Sequence, residues 1–508
     1  MTTTADLLIE IGTEELPPKT LNKLSAALTD HFCNSLKEAG ITYNEVTPYS
    51  SPRRLALMIA GISEYQADQL VEKRGPAFKA AYDKEGNPSK AALGFARSCG
   101  VEFDQLQQIE TDKGTYLNFK QEIKGAAARD LVAEMLDKAL AALPIAKRMR
   151  WGNKDTEFVR PVHWVVFLLG GDVVDTEILG VKTGRESRGH RFHHPKSVSI
   201  AQAADYAAAM KNAYVLVDSK ERRDLIVAQA KASAASIGGQ VVIDEDLLNE
   251  VTNLVEWPMA VDGCFGAEFL EVPQECLISS MQDHQKYFPV VDTDGNLMPH
   301  FITISNIESS DVSVVRDGNE RVIRPRFSDA AFFWEQDSKV PLDSFRDATK
   351  KIVFQQKLGT LFEKTERVGK LSAHIADALG ENAEHAVRAA QLSKCDLASD
   401  MVNEFSDLQG IMGRYYALKD GEPDSVAYAI EEQYKPGFAG DDIPDHMTGK
   451  ILSLSDKLDT ILGIFAIGQK PTGTKDPFAL RRAALGALRI IIEGDLLLDL
   501  RELLGVAA

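Results

Sequence analysis

The residues best able to do chemistry in this chain are basic, and they come in groups. Lys147-Arg148-Met149-Arg150-Trp151-Gly152 is one. The stretch GRESRGHRFHH holds Arg185, Arg188, His190, Arg191, His193 and His194, with Gly184 and Gly189 allowing close backbone approach. VRDGNERVIRPRF carries Arg316, Arg321, Arg324 and Arg326, and Arg481-Arg482 stand with Lys475 and Arg489. Guanidinium groups pair bidentately with phosphate oxygens, and neighbouring aromatics stack on bases. Arg-rich loops of this composition suit a folded RNA. Intramolecular ion pairing is the competing reading, because the chain carries 75 acidic side chains.

Other chemistry finds less support. Zinc needs three or four ligands at defined spacing, and no Cys or acidic residue stands in register with His190, His193 and His194. Asp283-His284 lies near Ser279 and Ser280, but a Ser-His-Asp site is set by geometry rather than adjacency, and a packed histidine is the simpler reading. The run from Asp292 has Leu297 and Thr303 where a calcium loop needs Gly and Glu, so it reads as a turn. The segment Leu452–Asp459 (LSLSDKLD) resembles the last metal-ligand segment of the HD phosphohydrolase family. That family's adjacent His-Asp would fall at Ser393-Lys394, with His374 or His385 as a remnant of the first ligand. With a lysine in one ligand place, the resemblance implies the fold without its metal centre. There is no G-x-x-x-x-G-K-[ST] loop and no G-x-G-x-x-G after a strand. Neither synthetase class is represented by its motifs, and Thr472-Gly473-Thr474-Lys475 reads as a helix-entry turn. No catalytic residue, no metal site and no ATP cradle are expected.

The elements that must position the basic groups are mixed. Asp6–Ile11 is a strand ended by Gly12, and Leu21–Leu36 is a helix with apolar residues three and four apart. Arg54–Ile62 reads as a strand, Asp83–Pro88 as a turn, Pro88–Arg97 and Ala126–Leu143 as helices, and Val162–Leu169 as a buried strand. Val290–Asp294 opens a hairpin. Beyond Pro325 strand signals nearly vanish, and Phe345–Leu379, Ala383–Met401, Glu404–Leu418, Ser425–Tyr434, His446–Phe465 and Pro477–Ile492 show helical spacing. The expectation is a multidomain α+β protein: a mixed α/β body over residues 1–325, in two or three subdomains, then an all-helical HD-like domain over 326–508.

Composition sets the bounds. The 508 residues are 44% hydrophobic and 26% charged, enough for roughly three or four domains. The formal net charge of −18 excludes gripping nucleic acid by bulk charge. A local basic patch still serves, because screening limits each charge's reach to about 10 Å. Five scattered cysteines without a C-x-x-C fit a reducing cytosol. The opening Met1–Asp6 has no basic or apolar leader character, and no apolar run approaches the ~20 residues of a spanning helix. A cytoplasmic protein without a membrane segment is expected.

Longer motifs run through the chain: LLIEIGTEELPP, SPRRLAL, MRWG with FVRPVHWVVFLLG, GRESRGHRFHHP, LVEWP, HQKYFPV, ISNIES, GNERVIRPRFSDAAFFWE, MVNEFSDLQGIMGRYYA, DKLDTILGIFAIG and PTGTKDPFALRRAALG. Together they resemble the β subunit of bacterial glycyl-tRNA synthetase. The resemblance implies an α2β2 heterotetramer. In it a separate α chain makes the adenylate from glycine, using ATP and Mg, while β binds and orients tRNA(Gly) and holds no cofactor itself. It also implies a C-terminal anticodon-binding domain beyond Ala508, so the chain reads as truncated. Charge clustering and resemblance together nominate Lys147, Arg148, Arg150, Arg185, Arg188, His190, Arg191, Arg321, Arg324 and Arg326 as tRNA contacts. The alternative is an HD-type metal-dependent phosphohydrolase acting on nucleotides or RNA.

Overall fold

The computed structural model describes residues 3–83, 86–112 and 114–507. Lys84 and Glu85 of the expected turn lie outside the described residues. The chain divides into two compact units. One comprises Met1–Ala230, Asp244–Ala260 and Ile304–Ser310; the other comprises Lys231–Ile243, Val261–Thr303 and Asp311–Ala508.

The first unit opens with β1 (Thr4–Thr13), α1 (Pro18–Glu38), β2 (Glu45–Ser51) and β3 (Arg54–Ser63). A small sheet follows, in which β4 (Gln69–Ala77), β5 (Gln107–Thr111) and β6 (Gly114–Ile123) pair in the order β4-β6-β5, with α2 (Lys90–Cys99) in the connection. Next come α3 (Ala128–Ala141), the pair β7 (Met149–Arg150) and β8 (Glu157–Phe158), and β9 (Val162–Leu169). The short strands β10 (Asp172–Val173), β11 (Glu177–Ile178), β12 (Val181–Gly184), β13 (Glu186–Arg188) and β14 (Ser197–Ser199) lead to α4 (Tyr206–Asn212), α5 (Ser219–Ser236) and α6 (Glu245–Thr252).

β1 sits inside the main sheet, order β11-β12-β9-β1-β3-β2, because both of its faces are covered. Strand alternation sends Leu7, Ile9 and Ile11 to one face, where Leu21, Leu24, Leu28, Phe32 and Leu36 of α1 and Val132, Leu136 and Leu140 of α3 cover them. The other face carries Leu8, Ala56, Trp164, Val166 and Leu168 under Tyr206 and Met210 of α4. β1 runs antiparallel to both neighbours. Its Gly12 stands between Arg54 on β3 and Trp164 on β9, and its Glu10 between Ala56 and Val166. Two charged residues thereby enter a buried face.

The second unit has a four-stranded sheet of β15 (Gln240–Val241), β16 (Met259–Cys264), β17 (Phe288–Val291) and β18 (Leu297–Ser305), in the order β15-β17-β18-β16. Its helices are α7 (Gln274–Ser279), α8 (Val312–Asp337), α9 (Leu361–Leu379), α10 (Ala383–Leu392), α11 (Asp400–Glu404), α12 (Ile411–Lys419), α13 (Asp424–Glu432), α14 (Met447–Ala466), α15 (Leu480–Glu493) and α16 (Leu500–Ala507). One core joins Leu277, Phe301 and Phe327 to Leu392, Met412 and Ile430; a second joins Ile375, Ile451, Leu454 and Ile490.

Several local expectations change. Ala383–Met401 breaks into α10, a 3₁₀ turn (Cys395–Ala398) and the start of α11, and in Glu404–Leu418 the main helix, α12, begins only at Ile411. VRDGNERVIRPRF is not a loop: it lies within the 26-residue α8, with Pro325 inside the helix. Burial of Ile323, Phe327 and Ala330 holds that helix down and offsets the backbone bond that proline removes. Phe345–Leu379 is not one helix either. A 3₁₀ turn (Leu342–Lys351) and the pair β19 (Val353–Gln355) and β20 (Gly359–Thr360) precede α9. Thr360 and Glu363 start α9 with a reciprocal cap: the Glu363 N–H donates to Thr360 Oγ1 at 3.3 Å, and the Thr360 N–H donates to Glu363 Oε2 at 2.7 Å. Among the described residues, no helix is long and apolar enough to cross a membrane.

Asp396 is fully buried, and burial pushes its carboxyl up to about 6 although the Gly410 and Gly413 N–H groups donate to it. A carboxyl held above its unfolded value of about 3.9 costs stability when ionised, fully above pH 6, and the cost fades as pH falls toward 4. Asp396→Asn removes that titration. Urea unfolding at pH 7 and pH 4.5 should show the wild type gaining on the variant as pH falls; a gap that stays constant would show that Asp396 does not titrate there.

A candidate anion-binding site

Glu10 and Arg54 are buried on the face they share with Trp164, and neither is exposed at all. Ionised groups survive there only when paired and hydrogen-bonded. Arg54 Nη2 lies 3.0 Å from Glu256 Oε1, and its Nη1 lies 3.7 Å from Glu10 Oε1. Arg54 Nε donates to Ser51 Oγ at 3.0 Å, and Ser51 Oγ donates to Glu256 at 2.8 Å. Ser187 Oγ at 2.7 Å and Trp164 Nε1 at 2.5 Å donate to Glu10 Oε1. Burial alone would pull the Arg54 pKa down; the Glu256 and Glu10 charges outweigh it and hold the proton more tightly than usual.

Gly12 makes room for this packing. A Cβ there would stand 1.9 Å from the Trp164 ring, so only glycine lets the indole lie across β1. Three guanidinium groups then gather around the ring, with Cζ to centroid distances of 5.6 Å for Arg53, 5.7 Å for Arg54 and 5.0 Å for Arg188. Arg54 points in and is neutralised. Arg53, its chain neighbour, lies over the same ring and lines a pocket.

That pocket has a volume of about 390 Å³ and is walled by Arg53, Arg188, Arg191 and Lys196, with Glu14 at one side. Arg53 is only 8% exposed, yet its Nε has no hydrogen-bond partner. Arg53, Arg188 and Lys196 have no carboxylate partner among the described residues. Burial, with Arg191 and Arg54 nearby, lowers the Arg53 pKa, a cation held against its preference. Arg191 pairs with Glu14 at 3.2 Å and Glu15 at 3.3 Å. Burial would lift the Glu14 carboxyl, but the His163 hydrogen bond and the Arg191 and Arg53 charges hold it below its ordinary value. A buried donor without an acceptor, among cations that outnumber the carboxylate, is a place for an anion with several oxygen acceptors.

Residues 7–508 match the glycyl-tRNA synthetase beta subunit family. This chain belongs to that family. A glycine–tRNA ligase beta subunit of Chromohalobacter salexigens is 53% identical over 502 residues, covering 99% of this chain and 73% of that relative. One from Hahella chejuensis is 55% identical over 498 residues, 98% of this chain and 72% of the relative. One from Pseudoalteromonas translucida is 49% identical over 498 residues. As a member of the glycyl-tRNA synthetase beta subunit family, the chain is a subunit of an aminoacyl-tRNA ligase, an enzyme class of translation.

The nominated residues of this family member separate by what they touch. Arg188 and Arg191 line the pocket, joined by Arg53 and Lys196, which clustering alone had not nominated. Arg185 is a brace, donating to the Gly171 carbonyl at 2.9 Å. His190 is buried; its Nδ1 accepts from the Phe192 and His193 N–H groups and shapes the turn behind the pocket. Lys147 is exposed, Arg148 donates to the Ala141 carbonyl at 3.0 Å, and Arg150 pairs with Glu157 at 2.8 Å. In the second unit, Arg321, Arg324 and Arg326 are exposed on α8 without an acidic partner among the described residues, whereas Arg316 is tied to Asp262 at 2.7 Å. Arg481 and Arg482 donate to the Gly473 and Gly437 carbonyls. His284 packs near the Phe405 ring, and no hydrogen bond joins it to Ser279 or Ser280 among the described residues. No group of three metal-ligating side chains occurs there either.

Because Arg54 depends on two carboxylates, Glu256→Gln leaves a buried cation with Glu10 alone. The expected loss is about 3–5 kcal/mol. A urea midpoint unchanged from wild type would show that Glu256 is dispensable to the network.

Proposed function

We propose that this chain binds tRNA(Gly) and holds its acceptor end for a separate α chain, which makes the glycyl-adenylate from glycine with ATP and Mg. Two copies of each chain form the working ligase in the cytoplasm. The observation that carries the reading is the Arg53 pocket, in a chain of this family with a net charge of −18. An acidic protein that keeps a buried, unpartnered guanidinium and three further cations around one cavity concentrates its affinity for phosphate there. Charging follows from position: β brings the tRNA hydroxyl to α's adenylate, and orientation supplies the rate. The exposed Lys147 of the first unit and the exposed Arg321, Arg324 and Arg326 on α8 of the second unit are further tRNA contacts in this reading.

Residues 326–508 are read as an HD-like helical domain that has lost its metal. The Asp456 carboxylate, in the segment resembling an HD metal-ligand motif, has Lys364 Nζ at 3.4 Å and Lys394 Nζ at 3.6 Å. Two ammonium groups at that distance neutralise the carboxylate and repel a divalent cation, so the donor set does not fit a metal. The phosphohydrolase alternative is therefore not favoured.

Two measurements test the proposal. Glycine-dependent tRNA charging is expected only when α and this chain are mixed; charging by α alone at the same rate would refute a role for β. Arg188→Ala with Lys196→Ala is expected to weaken tRNA binding about tenfold and to flatten the salt dependence by roughly one power per lost phosphate contact. Unchanged affinity and slope would remove the pocket from the tRNA surface.

A further inference from the structure

The second unit contains a different pocket, of about 490 Å³, where α13 ends, α14 passes and α15 begins. Its walls include Gln433, Tyr434, Asp456, Lys457, Phe478 and Arg482. Three properties of these walls point in one direction.

The first is charge. Asp456 is met by Lys364 and Lys394, and Asp459 by Lys364 at 3.0 Å and Arg367 at 2.6 Å. Lys457 is 8% exposed beside them, and Arg482 stands exposed at the mouth with a carbonyl as its hydrogen-bond partner. Lys457 and Arg482 share the lining with Asp407 and Asp456, and Lys364 and Lys394 already meet Asp456, so Arg482 is the cation left for an anion. The second is unmet hydrogen bonding. The Gln433 amide nitrogen donates to the Ser393 and Ile430 carbonyls, each at 2.6 Å, which fixes the amide with Oε1 as its remaining acceptor. Gln433 is 2% exposed, and its Oε1 has no partner; the buried Tyr434 hydroxyl has none either. The third is aromatic surface. Tyr434 carries Lys394 Nζ at 4.3 Å from its ring centroid, and the half-buried Phe478 offers a second ring.

A ligand answering all three carries negative charge, a flat ring and an edge with both donors and acceptors. We propose that this pocket binds a nucleoside monophosphate unit, its phosphate at Arg482, its base against Phe478 and within reach of Gln433 Oε1 and the Tyr434 hydroxyl. The unit comes from a free nucleotide or from the end of an RNA strand. A metal is not needed, since Arg482 supplies the positive charge.

Calorimetry of the full chain with AMP, GMP, CMP, UMP and inorganic phosphate tests this. One nucleotide is expected to bind with a Kd below about 1 mM, at least tenfold tighter than phosphate. Arg482→Ala and Phe478→Ala should each weaken it about tenfold without shifting Tm, because Arg482 is exposed and Phe478 half-buried. Arg188→Ala should leave it unchanged, which separates this pocket from the tRNA site of the first unit. No saturable binding at about 10 mM, phosphate binding as well as every nucleotide, or indifference to both pocket variants would overturn the proposal. A short oligoribonucleotide ending in the preferred nucleotide identifies the source: much tighter binding assigns a strand end, and equal or weaker binding assigns the free nucleotide.

Discussion

The first unit depends on the burial of Arg54 between Glu10 and Glu256. A guanidinium with no exposure cannot be hydrated, so the carboxylates and the Ser51 and Ser187 hydroxyls must meet it and each other in fixed positions. Those positions fix β1 against β3 and β9 and place Trp164, over which Arg53 lies at the pocket. Well-packed apolar residues would stabilise the sheet at least as well, so the network is better read as setting geometry than as adding stability.

The same physics runs differently in the second unit. There the carboxylates of Asp456 and Asp459 are met by ammonium and guanidinium groups from other helices. Where a metal would impose a fixed coordination shell, lysines impose only charge, and the space beside them stays open.

Much of the framework was legible in the sequence because local signals agreed with burial. Val162–Leu169 reads as a buried strand and is one; Leu21, Leu24, Leu28, Phe32 and Leu36 read as one helical face and pack as one. Arg321, Arg324 and Arg326 were read with the other Arg-rich groups as loop residues, whereas tertiary burial of Ile323 and Phe327 decides for helix. Within the site, clustering found Arg188 and Arg191 but not Arg53. A signal was present in part: Glu10 and Arg54 each interrupt an apolar strand, which marks a buried charge cluster at that end of the sheet. What no local pattern conveys is that Glu256 completes the set, since its partner Arg54 lies 202 positions away.

That distance has a consequence for the newly made chain. The first unit draws on residues up to Ala260 and again on Ile304–Ser310. As the chain leaves the ribosome, its N-terminal sheet must wait, with Arg54 lacking one counter-charge, until Glu256 has emerged. Closing a loop of that length is a slow, non-local step. Until then the face holding Trp164 is unfinished and its apolar surface open to non-native contacts.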